Sequence, residues 1–183
     1  MKNHKIIQKI ATIAILTSMA IVLSIVESFI PSIGLQGVKL GLANIAIILV
    51  LYGYGFFYAL GVTLLRVIVS SLILGNIFQM GFFMSLTGAI LSLIVMFIIK
   101  KIAKNLTVIV ISVIGSIFHV SGQIVVAMIY MNTWTIIYYY PVIFLSSIIT
   151  GIFVGIVAKV ILSTSIFKKL CALETNNSSS SNT

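Results

Sequence analysis

Aspartate is missing from this 183-residue chain, and only two residues are acidic. That shortage excludes the aspartate-rich Mg²⁺ motifs by which many enzymes hold diphosphate substrates. A Ser-His-acid triad has only Glu27 and Glu174 to draw on, and Glu174 lies in the polar tail. A Walker loop, GxxxxGK[ST], is also missing, so ATP hydrolysis of that kind is excluded. The single cysteine, Cys171, follows the last apolar run, which leaves no internal disulfide and no CxxC metal pattern. No catalytic residue, metal ligand set or cofactor site is therefore expected. Charge of either sign is scarce at 7%, against roughly a quarter in soluble proteins.

What fills the chain instead is apolar: 61% of residues are hydrophobic and the mean hydropathy is +1.29. The lipid bilayer is the expected solvent. The formal charge of +9 would point to nucleic acid if it formed a patch on a water-exposed surface. However, Lys2, Lys5, Lys9, Lys100, Lys101, Lys104, Lys168 and Lys169 sit in short flanks between apolar runs, where lysines orient helices and meet anionic headgroups. No nucleic-acid partner is expected.

Apolar runs bounded by turn residues predict an all-α, polytopic bundle of six transmembrane helices near residues 10–30, 40–52, 56–74, 82–99, 108–131 and 138–162. The second run is short and is followed by Gly53 and Gly55, which predicts a tilted or partly re-entrant segment. Pro31 ends the first helix and Pro141 falls in the first turn of the last. The first run is longer than a signal-peptide core and reads as a membrane helix. A single membrane domain over 1–170 is expected, with 171–183 a disordered cytoplasmic tail of Asn and Ser. An even number of spans places the lysine clusters and both termini on one side, the cytoplasmic face of the cell membrane. Trp134 and Tyr138 to Tyr140 then form an aromatic belt at the outer interface.

Ionisable residues inside spans are expensive and need a partner or a job. Glu27, Arg66, His119 and Lys159 are of this kind. Arg66 falls about 15 Å along the third helix from Phe56, near the membrane midplane. Thr63, Arg66 and Ser70 share one helical face, as do Ser112, Ser116, His119 and Gln123, and Thr17, Ser24 and Glu27 do so on the first helix. Together with Lys39 and Asn44 these residues predict one polar pocket opening outward and binding a small molecule. Arg66 and Lys39 would hold a negative group, His119, Gln123 and Asn44 would supply hydrogen bonds, and Glu27 would orient Arg66 or receive a cationic part. The plainer alternatives are a structural Glu27–Arg66 ion pair, a satisfied core histidine, and lysines 39 and 159 that snorkel to an interface. Gly151 and Gly155 in GxxxG spacing predict close internal helix packing, whereas Ala14 and Ser18 on the first helix are candidates for a partner-subunit face.

Several segments carry a resemblance: Val38 to Ile45 (VKLGLANI), Leu64 to Val67 (LLRV), Ser85 to Ala89 (SLTGA), His119 to Gln123 (HVSGQ), and Pro141-Val142 through Thr150-Gly151. They resemble the Gx transporter family, also described as heptaprenyl diphosphate synthase component I. More distantly, the pattern is similar to the substrate-binding (S) components of energy-coupling factor transporters. That resemblance implies six helices, a pocket toward the outside, and small residues on helix one facing a transmembrane coupling subunit driven by ATPases. Ala14 and Ser18 match that small-residue pattern only in part, because Ala11 is followed four residues later by Ile15.

Three functional readings follow. The first is an uptake subunit that captures a small anionic or polar-headed compound for import by ATP-driven partner subunits. The synthase description implies instead a non-catalytic partner of a prenyl diphosphate synthase catalytic subunit. A proton-coupled secondary transporter using Glu27 or His119 is the third.

Overall fold

A computed structural model describes residues 2–29, 39, 41–103, 105–165 and 167. The predicted tail, 171–183, lies outside the described residues, as do Lys104, Lys168, Lys169 and most of the segment between the first two helices. The elements are α1 (Lys2–Phe29), α2 (Asn44–Gly53), α3 (Phe56–Ile73), α4 (Met80–Ile102), α5 (Val108–Met131), a 3-10 turn (Trp134–Tyr139) and α6 (Tyr140–Ser163). Five helices are long and apolar enough to cross a membrane. The chain is a multi-pass, all-helical membrane protein.

The second of the six expected helices, α2, is shorter than a span, as its short apolar run predicts. Its 10 residues reach about 15 Å at 1.5 Å per residue, half of a hydrocarbon core about 30 Å thick. Its start moves from Leu40 to Asn44 because Gly41 takes φ +93°, a left-handed conformation that no helix continues through. Every residue from Asn44 to Leu51 is buried. A helix apolar on all sides has no face to offer water, so it occupies the middle of the fold. At the first helix, periodicity marks where lipid begins rather than where the helix does, and α1 extends back to Lys2. The last expected helix likewise divides into the 3-10 turn and α6, with Pro141 in the first turn of α6.

The packed pairs α1–α3, α3–α4, α4–α5, α5–α6, α6–α2 and α2–α1 close a ring, and α2 also reaches α3, α4 and α5 across it. The α5–α6 seam is drawn tight by glycine. A Cβ on Gly151 would stand 2.7 Å from Val113 Cα, and one on Gly155 would stand 2.7 Å from Ile109 Cα. GxxxG spacing here serves internal packing, and the Ser112 hydroxyl donates to the Gly151 carbonyl at 2.8 Å. Sequence spacing does not reveal a second close approach, between α4 and α5, where a Cβ on Gly122 would lie 3.1 Å from Gly88 Cα.

Lysines define one end of the bundle. Lys100 Nζ donates to the Leu51 carbonyl at 2.9 Å and stands 4.3 Å from the Tyr52 ring centre. Lys9 lies 4.1 Å from the centre of the Tyr58 ring. The N-terminal part of α1, the α2–α3 turn and the end of α4 therefore share this end, with the start of α5 and the end of α6 beside them through the Ile109–Gly155 contact. Trp134 and Tyr138, exposed by 80% and 81%, project at the opposite end in the manner of an interfacial belt.

Candidate functional site

The chain enters α2 through a non-helical stretch at membrane depth. In lipid an unsatisfied backbone N–H costs several kcal/mol, so such a stretch is tolerated only where protein supplies partners. Glu27, near the end of α1, supplies two: its Oε1 accepts the N–H groups of Gly41 and Leu42, the latter at 3.1 Å. Gln123 on α5 supplies a third by accepting the Lys39 N–H at 3.1 Å. The α2 N-terminus turns on itself, Asn44 N–H to the Gly41 carbonyl at 2.9 Å and Ile45 N–H to the Leu42 carbonyl at 3.1 Å. Gly41 and Leu42 are thus tied to α1, and Lys39 to α5.

Around this stretch the predicted polar residues converge. Glu27, Asn44, Arg66, His119 and Gln123 are each at most 4% exposed, and Lys39 is half-buried. Gln123 Nε2 and His119 Nε2 are 2.9 Å apart, which uses up one ring nitrogen and the remaining end of the amide. A Cβ added at Gly41 would come within 3.1 Å of Asn44 Nδ2 and 3.7 Å of His119 Cδ2. Arg66 interacts electrostatically with Glu27, Lys39 and His119, which places its charge among them. On the same α3 face Thr63 bonds to the Ala59 carbonyl at 2.7 Å, and Ser70 meets Ser24 of α1 at 3.4 Å.

The cluster divides into two kinds of residue. Glu27 and Gln123 spend their hydrogen bonds on the backbone and on His119. Arg66 Nε and both amide atoms of Asn44 are buried without a hydrogen-bond partner among the described residues, while the His119 ring leans on the Gly88 backbone. Glu27 and Arg66 attract each other through space, with no hydrogen bond between them among the described residues. The expected ion pair is therefore loose, and the carboxylate has a backbone role that spacing along α1 does not reveal.

Small residues close to the cluster are set by contact. Gly88 of α4 backs His119: a Cβ there would stand 2.6 Å from the His119 carbonyl oxygen and 3.0 Å from Gln123 Cγ. Its only sequence signal is the SLTGA segment. Ala14 and Ser18 lie on the exposed face of α1, away from the cluster, with the Ser18 hydroxyl bonded to the Ala14 carbonyl at 2.9 Å. Lys159 is exposed on α6, and no group of three His, Cys, Asp or Glu gathers among the described residues.

The segments that build this site also decide kinship. A model of the family described as heptaprenyl diphosphate synthase component I matches residues 16–161. The chain belongs to that family. The matched stretch of the component I family takes in all six polar residues of the cluster and leaves out most of the lysine-bearing start of α1. No curated protein and no solved structure matches the chain.

Proposed function

We propose that this chain is a non-catalytic, ligand-holding membrane subunit that takes the anionic head of a small, polar-headed compound against Arg66. The observation that carries this reading is the buried guanidinium whose Nε has no hydrogen-bond partner among the described residues. A buried charge is retained where something pairs with it, and Glu27 is already engaged by backbone N–H groups. Arg66 and Lys39 set against Glu27 leave one positive charge for a ligand anion to neutralise. Asn44 offers an amide donor and acceptor, and His119 stands beside it. Glu27 and Gln123 hold the wall on which these groups stand.

The family description supplies the first reading of where the ligand goes: to a separate prenyl diphosphate synthase catalytic subunit, with this chain as its membrane component. Chemistry in another subunit agrees with a chain that has no aspartate of its own for a diphosphate-bound metal. A second reading, import by partner ATPases as in S components of energy-coupling factor transporters, is favoured by the exposed face of α1. There Ala14 and Ser18 offer a close approach to another membrane helix. In both readings the lysine end faces the cytoplasm and the polar cluster lies toward the outside of the cell membrane.

The test is gentle purification of wild type and Arg66→Ala from native membranes, with mass spectrometry of bound small molecules and companion proteins. Wild type is expected to carry an anionic-headed compound that the variant lacks at equal recovery of folded protein. The same compound at the same occupancy in Arg66→Ala overturns the anion contact. A soluble, aspartate-rich synthase as companion supports the first reading, and a membrane coupling protein with ATPases supports the second.

A further inference from the structure

The lysine end holds a feature for which the polar cluster has no use. A cavity of about 210 Å³ opens where the α2–α3 turn meets the last turns of α4, lined by Leu51, Gly55, Phe56, Phe97, Lys100 and Lys101. Its interior is apolar, with the Phe56 and Phe97 rings packed at 4.7 Å between centres. Gly55 borders it with bare backbone: at φ +93° a Cβ there would meet nothing within 4 Å. Its rim is cationic. Lys100 is held in place by the Leu51 carbonyl and the Tyr52 ring, which leaves donors of its ammonium unspent, and Lys101 is exposed beside it. Glu27, the only side-chain carboxylate among the described residues, is buried near the other end of the bundle, so no described acid is at hand to neutralise this pair.

We propose that this cavity is a headgroup site for an anionic phospholipid, its phosphodiester between Lys100 and Lys101 and the start of its acyl chains against Phe56 and Phe97. The surroundings select a lipid over a free phosphate. Leu51, Phe56 and Phe97 give an occupant apolar walls to lie against. An inorganic anion would gain nothing from those walls, whereas a phospholipid gains both charge neutralisation and apolar burial. Lys100 has a structural task as well, because it closes the carbonyl end of α2. Lys101 has no hydrogen bond to lose and is the cleaner probe.

Native mass spectrometry of the full chain, released from mixed phosphatidylglycerol and phosphatidylcholine vesicles, reads the site directly. Wild type is expected to retain phosphatidylglycerol in preference to phosphatidylcholine, and Lys101→Gln is expected to lower that preference about fivefold, the weight of one lysine near an anionic surface. Lys159→Gln, which removes an exposed lysine from α6, should leave it unchanged. Equal retention of the two lipids, no change in Lys101→Gln, or an equal loss in Lys159→Gln each overturns the proposal. Displacement of the lipid by excess inorganic phosphate also overturns it, in favour of a soluble-anion site. Lys100→Gln, compared by thermal unfolding as well as lipid retention, should lower both.

Discussion

Two stretches of the one polar stripe on α5, Ser112 to Ser116 and His119 to Gln123, treat their polar residues in opposite ways. Toward α6, Ser112 donates to the Gly151 carbonyl, and glycines bring the backbones so close that no side chain fits between. Ser116 in that seam keeps an unbonded hydroxyl, a neutral group whose burial costs about 1–3 kcal/mol. Around His119 and Gln123, by contrast, Arg66 Nε and both amide atoms of Asn44 are buried without a hydrogen-bond partner among the described residues. Stability accounts for the first stretch. At the second, part of a buried cation and a whole amide are left open in one place, which marks a candidate site rather than a seam.

The sharpest way to test the closed side of that comparison is to push it apart. Gly155→Leu places a side chain where even a Cβ would lie 2.7 Å from the Ile109 Cα, and backbone cannot yield as a flexible side chain does. A loss of about 3 kcal/mol is expected, the upper range for overpacking. Chemical or thermal unfolding of the detergent-solubilised protein measures it. A variant as stable as wild type would mean that the seam is open in solution and that both stretches of the α5 stripe tolerate intrusion alike.

Glu27→Ala tests the boundary between the two regions, because Glu27 is a scaffold residue inside the open cluster. Its removal strands the N–H groups of Gly41 and Leu42 at membrane depth, for an expected loss of about 2 kcal/mol. Glu27→Gln retains an acceptor oxygen and should recover most of that loss. If Gln behaves as badly as Ala in unfolding experiments, charge pairing with Arg66 rather than backbone anchoring is what Glu27 provides.

Much of this arrangement is legible in the sequence because membrane helices are strongly periodic. The predicted fifth helix has the same bounds as α5, and the third ends one residue beyond α3, since Gly55, Gly75 and Asn132 take positive φ at or near the helix ends and leave clear boundaries. The polar stripes on α3 and α5 are legible for the same reason, and the residues of each stripe are buried, from Thr63, Arg66 and Ser70 to Ser112, Ser116, His119 and Gln123. What stays hidden depends on contacts between distant segments. A uniformly apolar run over 40–52 shows no face, so the late start at Asn44 rests on the backbone of Gly41. The bond from Leu42 to Glu27 spans 15 residues and that from Lys39 to Gln123 spans 84, and no spacing rule connects them. The meeting of Gly88 with Gly122 is hidden in the same way, because a glycine's neighbour is set by packing and not by period.

The smallest effect is expected where intuition about buried charge predicts a large one. Breaking a buried ion pair by removing one member costs about 3–5 kcal/mol, because the remaining charge is stranded. Arg66 is not bonded in that way: its Nε has no partner among the described residues, and the carboxylate it attracts is held by Gly41 and Leu42. Replacing it with Met keeps the length and apolar packing of the side chain while removing a cation that Glu27 attracts only through space. In ligand-free protein, Arg66→Met should therefore change unfolding stability by no more than about 1 kcal/mol, and a gain is as consistent with an open site as no change. Added ligand should stabilise wild type and leave the variant where it was, since only a state that binds is shifted by mass action. A loss of 3 kcal/mol or more in the ligand-free protein would show that the guanidinium is internally bonded after all, and the contrast between the two stretches of the α5 stripe would then be one of degree.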